Sequence, residues 1–307
     1  MSEQLSYEQF CDRFSDETTC AQALFSTRWP QGFACPRCSH KLYYTIRSRR
    51  LPLYECRSCG AQTSLIAGTI MEGSRIPLTR WFQALYLHAA PQGISAARLA
   101  STIGVTYKTA WLVCHKLRHA MACSASKELL SGLVRVNCGT YGRPYNPTIY
   151  RHPQEQPLLL GATVTEDDRI VHLKIKKVQD EFLVYDRITP MGGRRFIEQC
   201  VDSASSDITI VLQKFSSKRY RPLIGLCQSA ANWINHTFNG IGEKHLQSYL
   251  DQFCFNYNAR SRASDAFSEL LLSSAGNRTL PYPDLVRRED RSAIHKREYA
   301  MSLRDAS

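Results

Sequence analysis

The spacing of apolar residues changes character twice along this chain, and each change marks a different kind of element. Ser6 and Gln9 form a capping box, with Leu5 and Phe10 as the staple around it, so a helix starts there. A second helical stretch runs to about Trp29, where Pro30 and Gly32 break it. From Ile76 the period is again helical: "PLTRWFQALYLHA" puts Leu78, Trp81, Phe82, Leu85 and Ala89 on one face. Ser95 then caps a helix with the stripe Ala96, Leu99, Ala100, Ile103, which Gly104 stops. Thr106 caps the next, whose inner face is Ala110, Val113, Cys114, Leu117 and Met121. Two helices joined by a tight glycine-containing turn predict a helix-turn-helix. Its second helix presents Tyr107, Lys108, Leu112, His115, Lys116 and His119 outward.

After Lys127 the period falls to that of strands. "LVRVNCGTY" is a candidate first strand, and "PLLLGATVT" has the continuous apolar run of a strand buried on both faces. "RIVHLKIKKV" alternates Val171, Leu173, Ile175 with His172, Lys174, Lys176, and "TEDDR" joins it to its predecessor as a hairpin. A helical stretch around "RRFIEQCVDSA" leads to a fourth strand, "DITIVLQKF". Further on, "EKHLQSYLDQFCFNYNARSR" repeats Leu246, Tyr249, Leu250, Phe253 and Tyr257 at helical spacing. Three strands in a meander, then a helix, a strand and more helices, suit an α/β domain of the RNase H type.

Composition adds a partner. The 307 residues carry a formal net charge of +12, which points to a polyanion, because lysines and arginines that neutralise phosphates release condensed counterions. Between Pro30 and Cys123 the acidic residues are Glu55 and Glu72 alone, against Arg47, Arg49, Arg50, Arg57, Arg75, Arg80, Arg98 and Lys108 among others. Such a region is suited to lying along phosphate, with Tyr107, Lys108 and Thr109 near base edges, Thr106 beside them, and Arg98 or Lys116 on the backbone. No apolar stretch is long enough to span a bilayer and the first residues do not read as a leader, so a cytosolic protein with no membrane partner is expected. In a reducing compartment the twelve cysteines are not a disulfide framework. Cys35-x2-Cys38 and Cys56-x2-Cys59, separated by a stretch that can form a hairpin, are spaced as two knuckles of one structural Zn2+ site.

In this order the parts resemble the transposases of bacterial insertion sequences that carry a zinc ribbon, a helix-turn-helix and an RNase H-like domain with an acidic triad. The strings that carry the resemblance are "RWPQGFACPRC", "YECRSCGAQTSLIAGTIMEGSRIPLTRWF", "SAARLASTIGVTYKTAW" and "KHLQSYLDQFCFNYNAR". The resemblance implies binding to element ends, and cutting and joining of DNA by two divalent ions held on carboxylates, since Mg2+ is a hard ion that takes oxygen ligands. Its first acid belongs in a string like Val-x-Val-Asp-Glu-Thr-Tyr, where this chain has "VRVNCGTY", with Asn137 and Cys138 in the acidic places. The second belongs after the fourth strand, near Val211 to Phe215, and the third on a helix at about Ala230; from Ile208 through Gly242 there is no Asp or Glu. Glu166, Asp167 and Asp168 in the hairpin turn, and Asp180, Glu181 and Asp186 beyond the third strand, are expected to lie out of reach of the first strand's centre.

The sequence therefore predicts an α+β multidomain protein: N-terminal helices (1–30), zinc ribbon (31–74), helix-turn-helix region (75–124), a degenerate RNase H-like domain with a mixed sheet (130–262) and a basic C-terminal tail (263–307). The expected function is sequence-specific binding of double-stranded DNA by a catalytically inactive, transposase-derived homo-oligomer, a regulator at the bacterial nucleoid. Structural Zn2+ is expected and catalytic Mg2+ is not. The alternatives are an active transposase of the same type and a module for oligomerisation or interaction.

Overall fold

The computed structural model describes residues 5–142, 155–185 and 187–286. The first helix, α1 (Tyr7–Arg13), begins at the capping box, with Ser6 Oγ accepting from the Gln9 N–H and Gln9 Oε1 accepting from the Ser6 N–H. Helix α2 (Glu17–Arg28) is capped by Asp16. A three-stranded antiparallel sheet follows, β1 (Tyr43–Ile46), β2 (Leu53–Cys56) and β3 (Gln62–Ser64), in the order β1-β2-β3. Then come α3 (Leu78–Ala89), α4 (Ala96–Ile103) and the long α5 (Tyr107–Lys127). Gly104 ends α4 at φ 66°, a left-handed conformation that its missing Cβ makes cheap.

The second half is built on β4 (Leu133–Tyr141), β5 (Gln156–Val164), β6 (Ile170–Lys177) and β9 (Asp207–Val211) in the order β6-β5-β4-β9. The first three form an antiparallel meander and β9 joins β4 in parallel, opposite Leu133 to Asn137, so the sheet is mixed. A small hairpin, β7 (Leu183–Val184) with β8 (Arg187–Ile188), precedes α6 (Pro190–Cys200). Helices α7 (Arg221–Phe238) and α8 (Glu243–Ser261) follow β9. Strand alternation sorts β4 between two cores. Val134, Val136 and Cys138 pack with Phe196 of α6, whereas Tyr141 packs with Leu223, Cys227 and Ala230 of α7. A Cβ on Gly139 would stand 2.7 Å from Cys227 Sγ and 2.5 Å from Leu160 Cδ1, so the close seat of α7 on β4 requires glycine there.

Helix α8 closes one edge of the sheet. The β6 groups that would face solvent are met by its side chains: Asn258 Oδ1 accepts from Leu173 N–H at 2.7 Å while its Nδ2 donates to the Leu173 carbonyl, and Gln247 does the same for Lys177 and Ile175. On its other side α8 packs against α5, where the buried Arg118 guanidinium lies 3.8 Å from the Tyr249 ring centroid and donates to Gln252 Oε1.

The segment expected as a tail after residue 262 does not begin as one. Residues Ala266–Gly276 form α9, whose Leu270, Leu271 and Ala275 sit in the same core as Phe10, Leu24, Phe82 and Met121. The N-terminal helices, the ribbon and α3 to α5 thus share a core completed by the far end of the chain. A short helix, α10 (Tyr282–Val286), follows; the rest of the expected tail, 287–307, lies outside the described residues, as does 143–154.

Candidate metal centre and nucleic-acid interface

The four knuckle cysteines converge. Their sulfurs all lie within 4.8 Å of one another, with Cys35 to Cys59 at 3.7 Å, Cys38 to Cys56 at 3.6 Å and Cys38 to Cys59 at 3.4 Å. Four thiolates at about 2.3 Å from one tetrahedral zinc stand about 3.8 Å apart, so the donor set fits that ion and closes its coordination. Each knuckle is a tight turn: Ser39 N–H returns to the Cys35 carbonyl and Gly60 N–H to that of Cys56, with Ser39 and Gly60 both at positive φ. The turns aim backbone donors at sulfur. The Cys59 and Ser58 N–H groups hold the Cys56 thiol below its ordinary range. Burial works against Cys35, yet the N–H groups of Arg37 and Cys38 and the neighbouring thiols bring it down to about 7. At Cys38 the His40 N–H is outweighed by the hydrogen bonds of the other thiols and by burial, which push it up to about 12. Among the described residues no other cluster of three or more His, Cys, Asp or Glu could hold a metal ion.

The exposed start of α5 is where the sequence places base contacts. Tyr107 is 61% exposed and Lys108 is exposed, while Thr106 caps the helix by accepting from Thr109 N–H and donating from its hydroxyl to Thr109 Oγ1. Arg98, on α4, is exposed and makes no ion pair among the described residues. Lys116 is a correction: it is 8% exposed, with Nζ donating to the Glu72 carbonyl at 3.4 Å, and burial lowers its pKa. His115 is likewise buried, stacked 4.0 Å from Trp111 and 4.9 Å from His245 of α8. Both sit where α5 passes beneath other elements, so of its expected outer face Tyr107 and Lys108 are exposed, Leu112 and His119 are half-buried, and His115 and Lys116 are covered.

The other cations sort in the same way. Arg50 pairs with Glu17 at 2.7 Å, and Arg28 donates to the carbonyls of Ser64 and Leu65 while stacking on Trp29, so both hold the fold. Lys41, Arg47, Arg49 and Arg57 on the ribbon are exposed and without ion pairs among the described residues, and Arg57 stacks on the exposed Tyr44. This basic, aromatic ribbon face was countable as charge in the sequence, but its pairing of Tyr44 with Arg57 depends on β1 lying beside the second knuckle.

The positions matched to catalytic acids do not form one cluster. Asn137 is 1% exposed and its amide is used twice, Nδ2 donating to the Tyr220 carbonyl at 2.8 Å and Oδ1 accepting from the Tyr220 N–H at 3.2 Å. Cys138 faces the opposite side of the sheet, in the core with Val136 and Phe196. Ala230 is buried among Tyr141, Leu160 and Cys227, on the order of 15 Å along α7 from Tyr220 at 1.5 Å per residue. Beside Asn137 opens a cavity of about 360 Å³ whose lining includes Arg135, Val211, Lys218, Arg219 and Arg221. Asp168 also lines it, contrary to the expected distance of the hairpin turn: the turn folds over the cavity, and the Tyr220 hydroxyl donates to the Asp168 carbonyl at 3.0 Å. Burial, then the Asp168 side chain, pushes the Tyr220 phenol up to about 12. Asp186 is outside the described residues.

A tight four-cysteine ribbon fused to a helical module and a mixed sheet defines a zinc-ribbon protein of mixed α/β architecture. Residues 15–62 match the transposase zinc-ribbon domain of the IS1595 type. The chain is also 29% identical over 125 residues to an uncharacterized protein in transposable element ISH50 of Halobacterium salinarum, a match that covers 40% of this chain and 42% of the relative. Across these parts the chain is thus similar to a transposase domain and to a protein of a transposable element. No solved structure matches it. Among the described residues no helix is long and apolar enough to cross a membrane.

Proposed function

We propose that this chain is a transposase-derived, sequence-specific DNA-binding protein that does not cut or join DNA. The observation that carries the reading is Asn137: where the resemblance calls for a metal-binding carboxylate, a neutral amide is spent on the backbone of Tyr220. No Asp or Glu lies from Ile208 through Gly242 to supply the other ligands, and Asp168 is a single acid among four lining cations. Two divalent ions need several clustered oxygens of negative charge.

Binding is assigned to the helical module and the ribbon. Helices α4 and α5 form the helix-turn-helix, with α5 as recognition helix presenting Tyr107, Lys108 and Thr109 to base edges; Arg98 and the ribbon arginines meet phosphate. The order β6-β5-β4-β9, a meander with a parallel fourth strand beside the first, supports an RNase H-like domain. The exposed Ile208 on the open edge at β9, with Phe215 just beyond the strand, favours self-association as part of the same role.

The test is a paired assay of the full-length protein on candidate element ends, binding and strand cleavage together, with Mg2+ or Mn2+ present. Salt-dependent binding without cleavage is expected. Metal-dependent strand transfer by pure protein would restore the active-transposase reading, and absence of DNA binding would remove both.

A further inference from the structure

The cavity beside Asn137 has a charge opposite in sign to that of a two-metal site. Arg135, Lys218, Arg219 and Arg221 line it, against the one carboxylate of Asp168. Arg135 is matched by Asp207 at 2.8 Å, but no carboxylate pairs with the other three among the described residues. Arg219 is fixed from behind, its Nη1 and Nη2 donating to the carbonyls of Lys214 and Cys138 at 2.8 and 2.7 Å, and its Nε is sealed from solvent with no partner. Backbone carbonyls orient a guanidinium without neutralising it, so its charge stays available to the cavity. Lys218 and Arg221 stand exposed on either side of Arg219 and Tyr220. The floor is neutral, an amide at Asn137 whose nitrogen and oxygen each bond the backbone of Tyr220. Helix α7 begins here without a side-chain cap, which adds a positive end to the same space.

Fixed cations around a neutral floor recognise an oxyanion directly, with no bridging metal. We propose that this cavity binds a backbone phosphate of duplex DNA through Lys218, Arg219 and Arg221, so that the sheet domain holds DNA as well as the helical module. The inference rests on the DNA-binding reading above and adds a second contact region to it. It also assigns a use to a cluster of cations that the helical module does not touch.

The experiment measures binding of the full-length protein to a short mixed-sequence duplex over a range of KCl concentrations without added divalent ions. The wild type is compared with the double variant Lys218→Ala, Arg221→Ala and, separately, with Lys108→Ala. Loss of two of the three cations that hold this phosphate should lower the slope of log affinity against log salt by up to about 0.9, the value for one phosphate. Affinity should fall tenfold or more while the thermal midpoint is unchanged, since both side chains are exposed and unpaired. DNA should protect Lys218 from acetylation, and added Mg2+ should weaken binding as a competing cation. Unchanged affinity and slope in the double variant, with Lys108→Ala still impaired, would overturn the cavity assignment and leave the DNA-binding reading standing. Binding strengthened by Mg2+ would overturn it by showing a metal-bridged contact, and equal protection of Lys218 by inorganic phosphate would make a small anion the ligand instead. No binding by the wild type would overturn both.

Discussion

At the scale of single residues, Lys108 and Lys116 belong to one helix and meet different surroundings. Both fall on the face of α5 opposite its apolar stripe, and periodicity treats them alike. Lys108 lies in the first turn and meets solvent; Lys116 lies two turns on, under a carbonyl from the ribbon's end. What covers a helix comes from elsewhere in the chain, and no local period records it. Lys108→Ala is expected to weaken specific binding by about 1–3 kcal/mol and to relax sequence preference, read from competition between cognate and mixed DNA. Lys116→Ala should leave the salt slope unchanged and lower stability by about 1 kcal/mol in denaturant unfolding, as the Glu72 carbonyl loses its donor. The cysteines were legible in full because ligand spacing is a local property: Cys35→Ser should take zinc from about one ion per chain to a small fraction of that, read by metal analysis, with loss of ribbon protection in hydrogen exchange.

At the scale of elements, the strands and most helices follow their periods. Strand β4 spans the residues "LVRVNCGTY", and α4 stops at Gly104 as its composition requires. Helix α8 is where the pattern says least. Leu246, Tyr249 and Leu250 are buried as their spacing implies, but Gln247, Asp251 and Asn258 are drawn in as well, because they serve the edge of β6 and its Lys176. Polar residues that complete a sheet edge look like a solvated face until the edge is in place. Asn258→Ala should therefore destabilise more than an ordinary surface change, by about 1–3 kcal/mol for each buried backbone group left unpaired, measured by the shift in urea midpoint. The loop between α3 and α4 is a second such junction. Trp233 Nε1 donates to the carbonyls of Pro91 and Gln92, and Gly93, at φ 65°, leaves room for the indole, which a Cβ would meet at 2.8 Å. Contacts of this kind join the α3–α4 loop to α7, and neither segment alone announces them.

At the scale of the whole molecule, His88 and His115 are the histidines that burial lowers furthest, with His172 next at about 4. Burial, then the Arg118 charge, lowers both His88 and His115 to about 3, with His245 adding to the effect on His115. Between the ordinary value of 6.5 and about 3 the unfolded chain binds protons that the native one refuses. Their contribution is therefore present above about pH 6.5 and is lost as pH falls, at up to about 1.4 kcal/mol per pH unit for each histidine. The thermal midpoint should drop from about pH 7 to about pH 5, and His115→Gln should flatten that slope. The division of the chain into successive domains also changes at this scale, because α9 belongs to the core of the residues at the other end. During synthesis at about 5–20 residues per second, α4 and α5 emerge on the order of ten seconds before Leu270 and Leu271 exist to finish their packing. A nascent or prematurely terminated product would present ribbon cysteines and basic helices without a completed core, so on the DNA-binding reading a nonsense mutation that removes Leu270 and Leu271 is as disabling as one in α5.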